Sequence, residues 1–414
     1  MKIAFVSQPF DGVFPPNQNS IGILTYHIAH HLRKHNDVVI YEGTGHLPEV
    51  LHNDQGLLHR PIVIKKIRGL NRLLNVSGIN RKRGSSGIEE TLYNFLYIFR
   101  IALDLRKQNC DIVHIFNYSQ FAPIIRRLNP EVKVVLNMHC EWLTRLDKAI
   151  IERRLRSVDL ILSCSEYISG LIRSRFPEFA GICYTLHNGV ELDRFYPSPN
   201  GNYDWMREDK ILFVGRVSPE KGIHTLLAAF PQIVDQVPTA TLDIVGPASI
   251  LPKEYIVDIS DDPLIVGLAS FYQGSYLDYL KQQIPPEYVL KVRFIGSVPH
   301  TEVPGCYRKA KVIVNPSYSE SFGVSLIEGM ASGLPVVATR TGGMPEVVEE
   351  GKTGLLVERG DVRELARAII CLLEDSSLQK SMGEKGRQRV EESFSYGDIA
   401  DKLEQYYKAL LVHA

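Results

Sequence analysis

Residues 312–331 read Val312-Ile-Val-Asn-Pro-Ser-Tyr-Ser-Glu320-Ser-Phe-Gly323-Val-Ser-Leu-Ile-Glu328-Gly-Met-Ala331. A short apolar run, Val312–Asn315, is followed by a polar loop and then by an apolar segment of helical period. Gly323 opens that helix, Glu320 lies in the loop before it, and Glu328 sits four residues beyond Val324 on one helical face. A helix N-terminus with free amides at Phe322, Gly323 and Val324 is a ready site for phosphate. One carboxylate at each end suits two diols, Glu320 a sugar hydroxyl and Glu328 a ribose. In isolation, a capped surface helix with two incidental glutamates reads the same way.

The same strand-to-helix unit recurs outward in both directions. Apolar runs at Ile211–Val214, Leu242–Val245, Val292–Ile295, Val336–Ala338 and Leu355–Val357 alternate with helical patterns such as Ile223–Val234 and Val324–Ala331. An earlier series holds Ile3–Val6, Val38–Tyr41, Ile112–Phe116, Val132–Asn137, Leu160–Ser163 and Ile182–Leu186, with the helical Ile21–Leu32 after its first strand. Runs so continuously apolar have no wet face, which predicts parallel sheets covered by helices on both sides. Pro197, Pro199, Asn200, Gly201 and Asn202 mark a linker between the two series. The expected architecture is therefore α/β: two doubly wound, Rossmann-like domains, 1–193 and 210–395, joined by residues 194–209, their ligand crevices facing across a cleft. The helical period of Tyr396–Leu411 predicts a last segment, 396–414, that returns to the first domain.

Composition bounds the function. At 414 residues, 44% hydrophobic and 23% charged, the chain is a folded two-domain protein and not a disordered, collagen-like or disulfide-scaffold chain. Lys+Arg and Asp+Glu are both 47, so total charge names no partner, yet residues 1–200 hold 25 basic and 18 acidic side chains. The six cysteines form no C-x-x-C pair and no metal-ligand ladder, which points to a reducing compartment. The first apolar run stops at Ser7, too short for a signal segment, and no run reaches the roughly 18 apolar residues of a spanning helix. A cytoplasmic protein is expected, peripheral on the inner face of the cytoplasmic membrane at most.

A second loop carries cations. Gly215-Arg216-Val-Ser-Pro-Glu-Lys221-Gly222 follows the first strand of the second series and sets a fork donor and a point charge in one turn, a clamp for a diphosphate. Taken alone it also reads as a solvated loop with two ordinary cations. Together, and in this order, the two stretches resemble the family 4 retaining glycosyltransferases of the GT-B fold. The resemblance extends through His187-Asn-Gly-Val-Glu-Leu-Asp-Arg-Phe195, Phe294-Ile-Gly-Ser-Val-Pro299, Gly342-Gly-Met-Pro-Glu346 and Gly351-Lys-Thr-Gly-Leu-Leu-Val357. It implies that Arg216 and Lys221 bind the diphosphate of a nucleotide-sugar donor, Glu328 the ribose, and Glu320 the donor sugar near its 3-hydroxyl. The Phe322, Gly323 and Val324 amides would meet phosphate and sugar, and the backbone at Val298 the base.

In the first series the resemblance implies a donor-facing glycine at Gly22, where Ile21 replaces the first of the family's paired glycines. His139, in Val135-Leu-Asn-Met-His139-Cys-Glu141, matches the histidine that meets the donor's 6-hydroxyl, although here a Cys intervenes and Glu stands for the usual Asp. The implied reaction is retaining transfer of a hexose, as from UDP-glucose or a related UDP-sugar, to a hydroxyl of a polysaccharide or lipid-linked acceptor. No cofactor and no metal are expected, since Arg216 and Lys221 already face the leaving diphosphate. A phosphorylase would need a pyridoxal phosphate lysine, for which no motif stands out; a nucleotide-sugar epimerase and a non-catalytic nucleotide-sugar-binding protein are the alternatives.

Two segments stand outside these motifs. Asp258-Ile-Ser-Asp-Asp262 lies in a stretch, 249–274, longer than the family's usual connection, and reads as a solvated acidic loop. From Gln55 to Gly87 there are eight cations and no acid: Arg60, Lys65, Lys66, Arg68, Arg72, Arg81, Lys82 and Arg83. Interleaved leucines make residues 60–83 a candidate contact with an anionic membrane surface, while a solvated loop is the plain alternative. The absence of aromatics in the segment argues against nucleic acid.

Overall fold

The computed structural model describes residues 1–9, 12–15, 18–43, 52–54, 56–64, 86–198 and 208–412, with the side chains of 52–53 and 86–91 outside the description. The first sheet contains β1 (Lys2–Val6), β2 (Asp37–Gly43), β3 (His52–Asp54), β4 (Leu57–Ile62), β5 (Ile112–Phe116), β6 (Lys133–Met138), β7 (Leu160–Ser163) and β8 (Cys183–Thr185). Its order is β3-β4-β2-β1-β5-β6-β7-β8, parallel throughout except for the β3–β4 pair. The second sheet holds β9 (Lys210–Val214), β10 (Thr241–Val245), β11 (Val292–Gly296), β12 (Val312–Asn315), β13 (Val336–Thr339) and β14 (Gly354–Val357). Its order is β11-β10-β9-β12-β13-β14, and every pair is parallel. These are the two doubly wound units that the apolar runs predict.

In each sheet the winding reverses once, at β1/β5 in the first and at β9/β12 in the second. Ligands of open α/β sheets bind outside the carboxyl ends of strands at such a switch point. The Arg216 loop leaves β9 and the Glu320 loop leaves β12, so the second switch point is flanked by both candidate stretches.

The helices that shape the cleft are α1 (Ser20–Leu32), α2 (Ser86–Gln108), α3 (Trp142–Arg145), α4 (Glu166–Arg175), α5 (Ile223–Gln236), α6 (Val324–Ala331) and α7 (Tyr396–Val412). α1 starts where the side chain of Asn19 accepts from the Gly22 amide at 2.9 Å, and α4 where Ser165 accepts from Ile168. On one face of the first sheet, Ile3, Phe5, Leu24 and Ile28 pack with Tyr396, Ile399, Leu403 and Tyr407. α7 thus returns from the second half and lies beside α1. Tyr407 Oη also meets His114 Nδ1 at 2.6 Å inside the sheet's core. A second apolar cluster runs without a break from Met138 and Cys164 into Phe322, Leu326 and Met344, joining the halves behind the cleft.

Most of the basic segment, Lys65, Lys66, Arg68, Arg72, Arg81, Lys82 and Arg83, lies outside the described residues, as does 199–207 of the linker. Arg60 is described and is no free cation: its Nε lies 2.6 Å from Asp104. Asp258-Ile-Ser-Asp-Asp262 is the solvent-exposed loop expected, but residues 249–274 around it are folded. They form short turns, Lys253–Tyr255, Pro263–Val266 and Gly267–Tyr272, around a small core of Val257, Ile265 and Leu268 packed on Tyr318. Apolar residues on either side of the aspartates, Ile256 and Val257 before them and Ile265, Leu268 and Phe271 after, supply the apolar area that a purely acidic loop would lack.

Candidate functional site

Four charged groups meet at the second switch point. Arg216 Nη2 lies 3.1 Å from Oε1 of Glu220, and Lys221 Nζ lies 2.7 Å from Oε2 of Glu320. Glu220 is 2% exposed, and its Oε1 also accepts from Ser218 Oγ at 2.6 Å. Its own carbonyl accepts from the Tyr318 amide at 2.7 Å, tying the β9 loop to the β12 loop. Burial works to raise the Glu320 carboxyl. Lys221 outweighs it, with help from the Phe322 amide and Asn315, and holds the group below its ordinary range. Glu320 is therefore an ionised, fully engaged carboxylate at neutral pH.

Gly323 caps α6 at φ +101°, a conformation that a β-carbon makes costly. The amides of Gly323 and Val324 have no acceptor among the described residues, whereas that of Phe322 serves Glu320. The Phe322 ring is buried and stacks on His187 of the first half at 5.6 Å. Gly342 (φ +56°) seals the loop from above, since a β-carbon there would stand 1.6 Å from the Glu320 carbonyl oxygen.

Glu328 projects from the next turn of α6. Tyr307 Oη donates to its Oε2 at 2.7 Å, and His300 Nε2 lies 3.3 Å from Oε1. Val298, two residues before His300, is half-buried on the rim. Residues of the β11 loop and of α6 thus meet on this side of the switch point.

The first half contributes from the carboxyl end of its own sheet. His139 follows β6, and its amide donates to Asn117 Oδ1 at 2.7 Å. Burial lowers its ring to about 4, with Asn188 beside it pulling weakly the other way, so it is neutral at pH 7. Among the described residues, neither of the buried atoms His139 Nε2 and Asn188 Oδ1 has a hydrogen-bond partner within bonding geometry. Two unpaired polar atoms in one place are costly unless water or a hydroxylated ligand meets them. Glu141 does not serve His139: its oxygens accept from Tyr167 Oη at 2.8 Å and Arg145 Nε at 2.9 Å. Gly22, on the first turn of α1, packs its Cα against the Gly12 carbonyl, where a β-carbon would stand 2.1 Å away. That contact fixes the β1 loop to α1.

The halves also clasp one another. Glu346 of the second half accepts from the Glu166 and Tyr167 amides at the N-terminus of α4, both at 2.6 Å. His187 lies 3.5 Å from the same carboxylate.

Sequence reading assigns no role to Glu220, His300, Tyr307 or Asn188. Glu220 sits in a Pro-Glu-Lys turn that reads as exposed, and only its neighbours in space reveal it as the support of Arg216. Among the described residues no group of three His, Cys, Asp or Glu is placed to hold a metal ion. Asp262 pairs with Arg359 at 2.6 Å and Asp258 with Lys253 at 3.5 Å.

Two Rossmann-like sheets, with charged loops and an open helix end at the second switch point, make up a fold of the GT-B type. Residues 204–389 match the family model for glycosyl transferases group 1, and residues 21–194 that for glycosyltransferase family 4. The chain belongs to these glycosyltransferases. Spore coat protein SA of Bacillus subtilis is 27% identical over 325 residues, 74% of this chain and 81% of that protein. Sucrose-phosphate synthase from Thermosynechococcus elongatus superposes with a TM-score of 0.75 at 22% identity, covering 100% of both chains. Anabaena HepE, crystallised with UDP and glucose, does so at 0.70 and 18% identity, covering 98% of each chain. At such identities the structures speak for the fold alone.

Proposed function

We propose that the protein transfers a hexose from a nucleotide-diphosphate sugar, UDP-glucose or a related UDP-sugar, to a hydroxyl of a polysaccharide or lipid-linked acceptor with retention of configuration. The observation that carries this reading is the convergence of Arg216, Lys221 and the unpartnered Gly323 and Val324 amides at one switch point. A diphosphate is the ligand that uses all of them. The choice of UDP leans on HepE, whose crystals hold UDP and glucose.

Glu320 is bonded to Lys221 and to the Phe322 amide, which argues against a free carboxylate nucleophile. The acceptor oxygen then attacks the anomeric carbon from the face the diphosphate leaves. The C1–O bond to phosphate breaks as the new glycosidic bond forms, and the acceptor's proton passes to a departing phosphate oxygen. The chain's own contribution is to stabilise charge growing on that phosphate, each preorganised donor typically contributing about 2.7–4 kcal/mol. The orphan Nε2 of His139 is suited to the sugar's 6-hydroxyl. The chemistry needs no metal ion and no cofactor.

Attachment of the first half to an anionic membrane surface belongs to the same reading. An exposed apolar stripe on α2 supports it: Phe95, Phe99 and Leu103 are 48%, 37% and 46% exposed at successive turns, with Arg100, Arg106 and Lys107 beside them. An apolar stripe edged by cations suits an interfacial helix.

A thermal-shift and donor-hydrolysis screen over nucleotide sugars tests the reading, because a ligand of the native state raises its melting temperature. Stabilisation and turnover by a nucleotide sugar, with an unchanged anomeric configuration in the product by NMR, is the expected result. Binding without turnover of any donor in the presence of any acceptor would leave a sensor, not a transferase.

A further inference from the structure

Residues 249–274, between β10 and the helix Tyr276–Gln282, have no part in the chemistry above. They are nevertheless firmly rooted beside it. Tyr318 forms one wall of their small core. Asp262 caps the turn at Leu264 and holds Arg359 Nη1 at 2.6 Å, and that nitrogen donates to the Tyr318 carbonyl at 3.1 Å. The segment is thereby fastened two residues before Glu320.

Its other edge crosses to the first half. The Tyr255 ring lies 5.5 Å from that of Trp142, tilted by 37°, and Tyr118 meets Trp142 edge to face at 6.3 Å. Asp261 stands 3.9 Å from Arg145, whose guanidinium is fixed 2.9 Å from Glu141. Glu141 and Trp142 are the direct continuation of the loop that carries His139. One segment therefore spans from two residues before Glu320 to three residues after His139.

We propose that residues 249–274 act as a strut that sets the spacing between Glu320 and His139 around the donor sugar, with Tyr255 as the positioning residue that docks on Trp142. This rests on the donor-site reading given above. The aromatic contact carries the docking, because the Asp261 carboxylate is fully exposed and its pair is screened by water. Tyr255 touches the loop behind His139, whereas the segment's far end, Gly267–Tyr272, packs on the Pro219–Lys221 turn, so it is the Tyr255 contact that bears on the sugar side and not on the nucleotide.

That separation supplies the test. Affinities for UDP-glucose and for UDP are measured by calorimetry on the full chain, with GDP-mannose and GDP as the second pair of probes. Tyr255→Ala weakens the sugar nucleotide about fivefold to tenfold and leaves the bare nucleotide within about twofold, the loss expected for one aromatic pair. Tyr255→Phe keeps the ring and restores wild-type preference, and Trp142→Ala combined with Tyr255→Ala costs no more than either alone. In a Trp205→Phe background Trp142 is the sole tryptophan, and its emission shifts in Tyr255→Ala. Equal losses for both ligands, or none, overturn the strut. Failure of the wild type to bind either pair overturns the donor-site reading instead.

Discussion

Glu220, almost wholly buried, holds the guanidinium of Arg216 at 3.1 Å while the adjacent Lys221 reaches 2.7 Å to Glu320 across the loop. Each cation is thus already held in place, so that under the proposed function neither needs to be ordered at the moment of reaction.

Arg216→Ala and Lys221→Ala should each lower turnover by about two to three orders of magnitude with the fold intact. Glu220→Ala should cost about tenfold to a hundredfold by releasing Arg216, and Glu220→Gln, which keeps an acceptor, should cost less. Steady-state kinetics at saturating donor decide this. Near wild-type turnover in Glu220→Ala would remove its supporting role.

Metal dependence follows from the same clamp. In the proposed reaction two cations and two helix amides would face the leaving group, so saturating EDTA should change the rate by less than about twofold. A collapse restored by Mn²⁺ or Mg²⁺ would instead recruit carboxylates that the structure pairs with Lys253 and Arg359.

Acid should destabilise the protein well before its carboxylates titrate. Burial lowers His27 and His114 to about 3 and His139 and His224 to about 4. An unfolded chain protonates these rings near 6.5, so between 6.5 and 4 it binds more protons than the native state. Stability is therefore full above about pH 6.5 and is lost as pH falls toward 4, at about 1.4 kcal/mol per pH unit for each histidine. Glu320, held below its ordinary value, adds a loss of the same sign at lower pH. Urea melts at pH 7 and pH 5 check this; equal stabilities would contradict the burial of these rings.

Replacing Phe95, Phe99 and Leu103 with Ser should abolish co-sedimentation with anionic vesicles and leave donor hydrolysis unchanged. Wild-type binding should weaken at high salt and be absent on zwitterionic vesicles. If the triple variant instead converts a dimer to a monomer, with vesicle binding unaltered, the stripe is a contact between two copies.

Much of this architecture is legible in the sequence for one reason: strands buried on both faces are continuously apolar. Ile112–Phe116 and Leu160–Ser163 can be read to the residue, and Gly323 marks the start of α6. The β3–β4 hairpin escapes notice because His52-Asn-Asp54 carries no apolar pattern at a sheet edge. Within the site, motifs identify Arg216, Lys221, Glu320 and Glu328. Their supports, Glu220, His300 and Tyr307, come from positions with no local signature. Contacts between sequence-distant segments, such as Glu346 on α4 or Tyr255 on Trp142, leave no periodicity to read.

The return of α7 to the first sheet has a consequence for biosynthesis. Val190 donates to the Phe394 carbonyl at 2.8 Å, so the two passages of the chain between the halves run side by side. The apolar face formed by Ile3, Phe5, Leu24 and Ile28 waits for Tyr396, Ile399, Leu403 and Tyr407 to cover it. A ribosome must translate some 370 further codons after Leu24 before that cover exists. The first half therefore spends most of synthesis with a greasy flank showing, and proteolytic nicking within 199–207 of the finished protein would leave two fragments still joined through α7.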